Sequence, residues 1–262
     1  MCQSFGHEFM TASLCMNCPY DCDYCYLKGM YPSGHLCLFV NLEDLEAEIR
    51  ARLLTAPLYL SVSYDTDLCA LEPIHGYVRA MHRLCSLLPD LVCEVRTKCA
   101  CTALLRELPP LPNFILAMTL SPHEVIRISE HRTPSLKARL EAVRTGLDRG
   151  HSIRLCLDPL LFTPDWQRQQ QLLMKTMLRV LGPERLRKVR DFSVGSFRIS
   201  QAYLPALRKC CRTSPLVQYP FRNVRGYYQY PPSLALAMEA SMTALLRPFA
   251  DEEKIFRWEA DP

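Results

Sequence analysis

The feature that most restricts this 262-residue chain is a change of period, repeated at least five times along it. Segments that alternate residue by residue give way to segments with an apolar residue every third or fourth position. LYLSVSYD, LVCEVRTK, FILAMTLS, SIRLCLDP and VRDFSVGSF have the first rhythm and read as strands. NLEDLEAEIRARLL has the second: Asn41 stands at its N-cap, and Leu42, Leu45, Ile49 and Leu53 share one face. PSLKARLEAVRTGLDRG repeats it with Leu136, Leu140, Val143 and Leu147 and a stop at Gly150. DWQRQQQLLMKTMLRVLG is a further helix ending at Gly182. Strands alternating with helices predict parallel βα units. A strand buried on both faces should be almost wholly apolar. Here Ile153, Leu155 and Leu157 share one side, but Arg154, Cys156 and Asp158 share the other. Val92, Glu94, Arg96 and Lys98 also lie on one side of their strand. Polar inward positions predict an open barrel with a partly solvated lumen. Function in such barrels sits at the C-terminal strand ends, where Lys98, Ser121 and Asp158 fall. No GxGxxG follows the first strand, which disfavours a dinucleotide-binding domain.

After about residue 200 the rhythm stops. SQAYLPALRKCC reads as helix, VQYPFRNVRGYYQYPP as an aromatic, basic hairpin centred on Arg225-Gly226, and a helix follows from about Ser233 to Leu246 before a charged tail. The expectation is one domain over 1–262, with a barrel over about 8–198 and a C-terminal elaboration over about 199–262. No apolar run approaches the roughly 20 residues of a membrane helix, and no basic-then-apolar opening resembles an export signal, so a cytoplasmic protein is expected. The net charge of +4 is uneven: 179–225 carries +9 and the rest −5. That asymmetry fits a polyanion-facing surface or an Arg-rich solvated face.

Fourteen cysteines in a chain with a full apolar pattern do not suit a short disulfide scaffold. Most, such as Cys85, Cys93 and Cys156, lie in apolar runs and read as small buried hydrophobes. CPYDCDYCYL differs, because Cys18, Cys22 and Cys25 lie in a loop with Pro and Asp. Cys15 and Cys18 form one CxxC and Cys22 and Cys25 another, so a four-cysteine zinc knuckle, and with it a non-enzymatic nucleic-acid-binding protein, is one reading. Cys15, however, follows the strand-like FMTASL. A three-cysteine set suits a four-iron cluster with one iron open to a substrate or cosubstrate.

A CxxxCxxC loop after the first strand of a βα barrel resembles the radical S-adenosylmethionine (SAM) superfamily. CPYDCDYCYL, EVRTKC, TPSLKARLEAVRTGLDRGHSIRLCLDPL with the following DW, and PFRNVRGYYQY together resemble the spore photoproduct lyase family, in that order and over nearly the whole chain. The resemblance implies an α/β fold, a partial (β/α)6-type radical SAM barrel with a C-terminal helix and hairpin elaboration. It also implies reductive cleavage of SAM to a 5′-deoxyadenosyl radical and repair of a thymine dimer lesion in DNA. A radical SAM enzyme of the same fold acting on a peptide is the alternative. By the match, Cys18, Cys22 and Cys25 hold a [4Fe-4S] cluster. Lys98, Thr66, Thr119 and Tyr24 lie on the SAM side, and Tyr26 is implicated in hydrogen-atom transfer. The family has a hydrogen-donating cysteine at the end of its second strand. In SVSYDTDL that position holds Tyr64, with Cys69 five residues on. Arg222, Arg225 and Tyr227 fall at the DNA-contacting end. The implied partners are DNA and a low-potential electron donor such as flavodoxin or ferredoxin.

Overall fold

The computed structural model describes the backbone of residues 2–4 and 7–257 and the side chains of residues 10–257. Its main sheet has eight strands in the order Cys2–Ser4, His7–Thr11, Leu58–Ser61, Leu91–Thr97, Phe114–Thr119, Ser152–Leu160, Asp191–Ser196 and Ile255–Arg257. The first pair is antiparallel; the seven strands from His7–Thr11 onward run parallel. The sheet is a curled half-barrel whose C-terminal strand ends share one rim. The charged tail read from sequence therefore includes a seventh parallel strand. Its three residues Ile255–Arg257 are too few to show a period.

Register explains the two-faced strands. Arg96 lies beside Ala117 and Ala117 beside Arg154; Thr119 lies beside Cys156 and Cys156 beside Ser193. One face of the sheet thus carries Tyr59, Ser61, Glu94, Arg96, Thr119, Arg154, Asp158, Asp191 and Ser193. The other carries Leu60, Cys93, Val95, Leu116, Met118, Ile153, Leu155, Phe192 and Val194, all buried in the core beneath the helices. The polar face lines the lumen. Its floor is closed by Arg154, which bridges Glu94 and Asp191 and donates to the Tyr59 hydroxyl at 3.1 Å. A buried charge is tolerated only when paired in this way.

The helices form where the periodicity placed them. Leu136–Asp148 is capped by Ser135, whose hydroxyl accepts from the Ala138 N–H at 3.3 Å, and Gly150 follows with φ 83°. Asn41 precedes Leu42–Leu53 but does not cap its backbone; its side chain donates to Asp44 at 2.8 Å. The helical stretch Trp166–Lys188 breaks at Gly182, where φ is 73°, and restarts at Pro183. The basic stretch 179–225 is divided by the sheet and does not form one surface. Residues 179–190 precede the Asp191–Ser196 strand, so they lie at the N-terminal end of the barrel. There Arg185 pairs with Asp148 at 2.5 Å and Arg190 donates to the Pro112 carbonyl at 3.3 Å. Residues 198–225 follow that strand and lie at the opposite end.

At this C-terminal end the hairpin is formed by Arg222–Val224 and Tyr227–Gln229 around a two-residue turn. Arg225 and Gly226 both have positive φ, 50° and 84°, as a hairpin turn that follows the strand twist requires. A third strand, Arg198–Ser200, pairs with Tyr227–Gln229 and ties the hairpin to the barrel rim. Among the described residues no helix is long and apolar enough to cross a membrane.

Candidate active site

The loop that follows His7–Thr11 crosses the barrel rim and is held on two sides. Asp21–Cys22 pairs antiparallel with Glu130–His131, and the Asp23 N–H donates to the Ser129 carbonyl at 2.8 Å. On the other side the short helix Leu27–Met30 packs on Leu204–Cys210 so closely that a Cβ on Gly29 would run into the Tyr203 carbonyl. The loop thereby acts as a cap between distant parts of the chain.

Cys18, Cys22 and Cys25 come together in this cap, each within electrostatic range of the other two. Burial pushes Cys18 and Cys22 up to about 12; Asp67 adds to the effect at Cys18, and Lys98 opposes it at Cys22. Burial also raises Cys25, against the pull of the Leu27 N–H and Lys98. Cys15 lies elsewhere. It is wholly buried, its strand partner is Leu38, and its neighbouring thiol is Cys37; burial and that thiol raise it to about 11. The fourth thiol of the paired CxxC pattern is therefore turned toward Cys37 and not toward the other three, which is not the arrangement of a four-cysteine zinc knuckle.

The donor set fits an iron–sulfur cluster. It consists of three thiols on one loop, with the backbone N–H of Tyr20 aimed at Cys18 and those of Leu27 and Lys28 at Cys25. Such N–H···S bonds and nearby cations stabilise thiolate ligands. Without a cluster, these buried groups are thiols; binding one would replace their protons.

Beneath the cap lies a buried network that sequence reading did not find. Glu130 is 2% exposed and accepts from Ser121 at 2.6 Å, from Arg139 at 2.5 Å and from the Tyr24 hydroxyl. Although burial works against it, Lys98 and Arg139 hold its carboxyl below the usual range. Arg139 is wholly buried and also donates to the carbonyls of Pro134 and Thr119, at 3.0 and 3.2 Å, and to Thr133 at 2.8 Å. Lys98 stands 5.5 Å from the centre of the Tyr24 ring; burial opposes its charge, but Cys22 and Glu130 raise its pKa. Asp67 fixes the adjoining corner. It accepts from Thr97 at 2.6 Å and the Lys98 N–H at 2.7 Å, and it caps the Leu68–His75 helix through the Ala70 N–H at 3.1 Å. Beside it the Thr66 hydroxyl is buried without a hydrogen-bond partner. A buried hydroxyl left unsatisfied is costly and marks a place where a polar ligand atom would fit. This corner thus offers the Lys98 cation and the Thr66 hydroxyl, whereas the Tyr24 hydroxyl is committed to Glu130. The Thr119 hydroxyl is already engaged by Arg96 at 3.3 Å.

Tyr26 and Tyr64 stand together at the mouth. Their ring centres are 5.8 Å apart and the Tyr26 hydroxyl donates to the Tyr64 carbonyl. Tyr64 is half exposed. Arg96 pairs with Asp158, to which Ser193 donates at 2.6 Å, on the wall below. Cys69 is only 4% exposed at the start of the Leu68–His75 helix, its free thiol hydrogen-bonded to the free thiol of Cys101 and close to Asp67 and Cys99. Arg222, Arg225 and Tyr227 lie on the hairpin beyond.

No protein-family model matches the chain, and neither does any curated protein sequence. Solved structures do. A doubly substituted spore photoproduct lyase with bound AdoMet and dinucleoside spore photoproduct superposes with a TM-score of 0.82, at 18% identity, over 94% of this chain and 74% of the other. The fold is that of spore photoproduct lyase. A second spore photoproduct lyase, complexed with dinucleoside spore photoproduct, also gives 0.82 at 18% identity, over 93% of this chain and 74% of the other. Streptococcus suis SuiB bound to S-adenosylmethionine gives 0.55 at 14% identity, over 76% of this chain and 45% of SuiB. The partial parallel barrel expected from the sequence is therefore the fold that this chain shares with those structures.

Proposed function

We propose that this protein is a radical SAM enzyme that acts on a thymine dimer lesion in DNA. The observation that carries the reading is the gathering of Cys18, Cys22 and Cys25 on a cap over the lumen, beside Lys98 and the unsatisfied Thr66 hydroxyl, in a chain with the spore photoproduct lyase fold. When bound, a [4Fe-4S] cluster and SAM would supply a carbon-centred radical able to remove a hydrogen atom from substrate. The chain's own work is to position and to exclude water. Cys18, Cys22 and Cys25 would ligate three irons, with an electron from a donor such as flavodoxin or ferredoxin. Lys98 would pair with the cosubstrate carboxylate, and Thr66 would meet its polar head. Tyr24, locked by Glu130, and Tyr26, bonded to Tyr64, fix the walls. Tyr64 stands where a returning hydrogen atom is needed, with its phenol in place of a thiol.

That replacement favours a second reading, a peptide or other non-DNA substrate on the same fold. A related structure, Streptococcus suis SuiB bound to precursor peptide SuiA, shares the fold with a TM-score of 0.52, at 12% identity, over 72% of this chain and 39% of SuiB. The two readings separate in one experiment. The anaerobically reconstituted, reduced protein is given SAM and a dinucleotide spore photoproduct; the restored thymine dinucleotide, an isomer of the lesion, is followed by chromatographic separation with ultraviolet detection, and 5′-deoxyadenosine by mass spectrometry. Formation of the restored thymine dinucleotide supports the DNA reading. Formation of 5′-deoxyadenosine without the restored dinucleotide supports the second.

A further inference from the structure

Part of the basic stretch lies at the end of the barrel that the candidate active site does not use. There the Leu136–Asp148 helix packs against both Thr102–Glu107 and Trp166–Lys188. A hollow of about 470 Å³ opens among the three, lined by Arg106, Arg144, Thr145, Asp148, Arg149 and Arg185. The local sequence places these residues. Arg106 is in the last turn of Thr102–Glu107, and Arg149 directly follows the end of Leu136–Asp148. The third helical stretch breaks at Gly182, so Arg185 stands in the first turn of its restart. The turn after Arg149 leads into the Ser152–Leu160 strand and the residues after Lys188 into Asp191–Ser196, so the hollow is at the N-terminal strand ends, opposite the cysteine cap.

Four arginines line this hollow with a single carboxylate. Arg185 is held on Asp148 through Nε at 2.5 Å and Nη2 at 3.1 Å, and Arg144 on Glu141 at 2.5 Å. Among the described residues no hydrogen bond or ion pair engages the side chain of Arg106 or Arg149. One arginine at a helix C-terminus is an ordinary answer to the helix dipole, which puts about half a negative charge there. Two such ends, with the carboxylates of Asp148 and Glu141, still leave the four guanidinium groups in excess. Guanidinium forks match phosphate oxygens two at a time. Several forks around one hollow match a compact anion of several charges. A site that encloses an organic ring is mostly apolar, and one that tracks a nucleic-acid strand offers rings for stacking. Here every lining side chain is polar or charged and none is aromatic.

We propose that this hollow is a binding site for an oligophosphate anion, free or as the tail of a nucleoside triphosphate, held chiefly by Arg106 and Arg149 with Arg144, Arg185 and the Thr145 hydroxyl around it. The site lies apart from the cysteine cap and the hairpin, so it stands whether or not the radical and nucleic-acid readings do. A nucleoside would remain outside the hollow, because nothing lining it suits a base.

The test is calorimetric titration of the reconstituted protein with inorganic triphosphate, ATP and monophosphate, without divalent cations and at about 0.1 M salt. Triphosphate and ATP should bind alike, and monophosphate, which reaches fewer arginines, about tenfold more weakly. Arg106→Gln with Arg149→Gln should weaken triphosphate binding about tenfold, several-fold for each exposed guanidinium. Asp148→Asn, which removes the one lining carboxylate, should tighten it. Arg127→Gln should change nothing: that arginine is exposed and ion-paired to Glu124, in a helix that starts from the opposite strand ends. Triphosphate binding weaker than millimolar, or equal in wild type and the double variant, would overturn the site. So would ATP binding far more tightly than triphosphate, or displacement of triphosphate by a single-stranded oligonucleotide at equal phosphate concentration, which would make the hollow part of a nucleic-acid track.

Discussion

Replacing Arg139 by Met should be among the most damaging single changes outside the cysteine loop. The side chain is wholly buried and donates to four acceptors, the carboxylate of Glu130, the carbonyls of Pro134 and Thr119, and the hydroxyl of Thr133. Met fills similar volume but leaves Glu130 ionised in the interior with Lys98 as its remaining cation. Removing one partner of a buried ion pair costs about 3 to 5 kcal/mol. For a domain of this size that is a fall in Tm of about 6 to 20 °C. Adding Glu130→Gln removes the stranded charge while keeping acceptors for Tyr24 and Ser121, so the double variant should be more stable than Arg139→Met alone. Calorimetry on the two singles and the double checks this. The carboxyl of Glu130 is held below its ordinary range, so the stability it provides is full above about pH 4.3 and is lost as pH falls through its folded value. The gap between wild type and Glu130→Gln should therefore close in acid. A loss under about 1 kcal/mol in Arg139→Met, or a double variant no better than the single, would refute the reasoning.

Other expectations concern the cap and the mouth. Lys98→Ala should weaken SAM binding about ten- to a hundredfold, the cost of a lost charge-assisted bond to a buried partner, measured by equilibrium binding to the reconstituted protein. Gly29→Ala must push the Leu27–Met30 helix off the Tyr203 carbonyl, at a cost of about 1 to 3 kcal/mol, and should lower iron content per protein on reconstitution. If Tyr64 returns the hydrogen atom, Tyr64→Phe should change the product or uncouple SAM use, while Cys69→Ala, altered in the helix layer, should leave the product unchanged; product analysis decides.

Much of this was legible because it is periodic or local. The strand and helix rhythm gave the barrel, the polar alternation of Arg154 and Glu94 gave the lumen, and Arg225-Gly226 gave the turn. The cysteine spacing brought the three thiols together on paper as it does in space. What escaped reading depends on distant pairing. Glu130 sits in a segment with no apolar period, and only its pairing with Cys22 puts it under the cap. Arg139 did leave a trace: it lies three residues after Leu136, on the edge of the apolar stripe, where an unpaired charge would be untenable. Asp67, directly before the apolar run LCAL, had the position of an N-cap. The strands Arg198–Ser200 and Ile255–Arg257 are three residues each and reveal themselves only through partners. The +9 stretch misled because a linear sum ignores the strand that sends its two halves to opposite ends.

The most direct test of the account is formation of 5′-deoxyadenosine from SAM by the anaerobically reconstituted, dithionite-reduced protein, in wild type and in four single variants. The account predicts formation in wild type and in Cys15→Ala, and none in Cys18→Ala, Cys22→Ala or Cys25→Ala. No 5′-deoxyadenosine from wild-type protein carrying its full complement of iron, or loss of formation in Cys15→Ala to the same degree as in the other three, would contradict it.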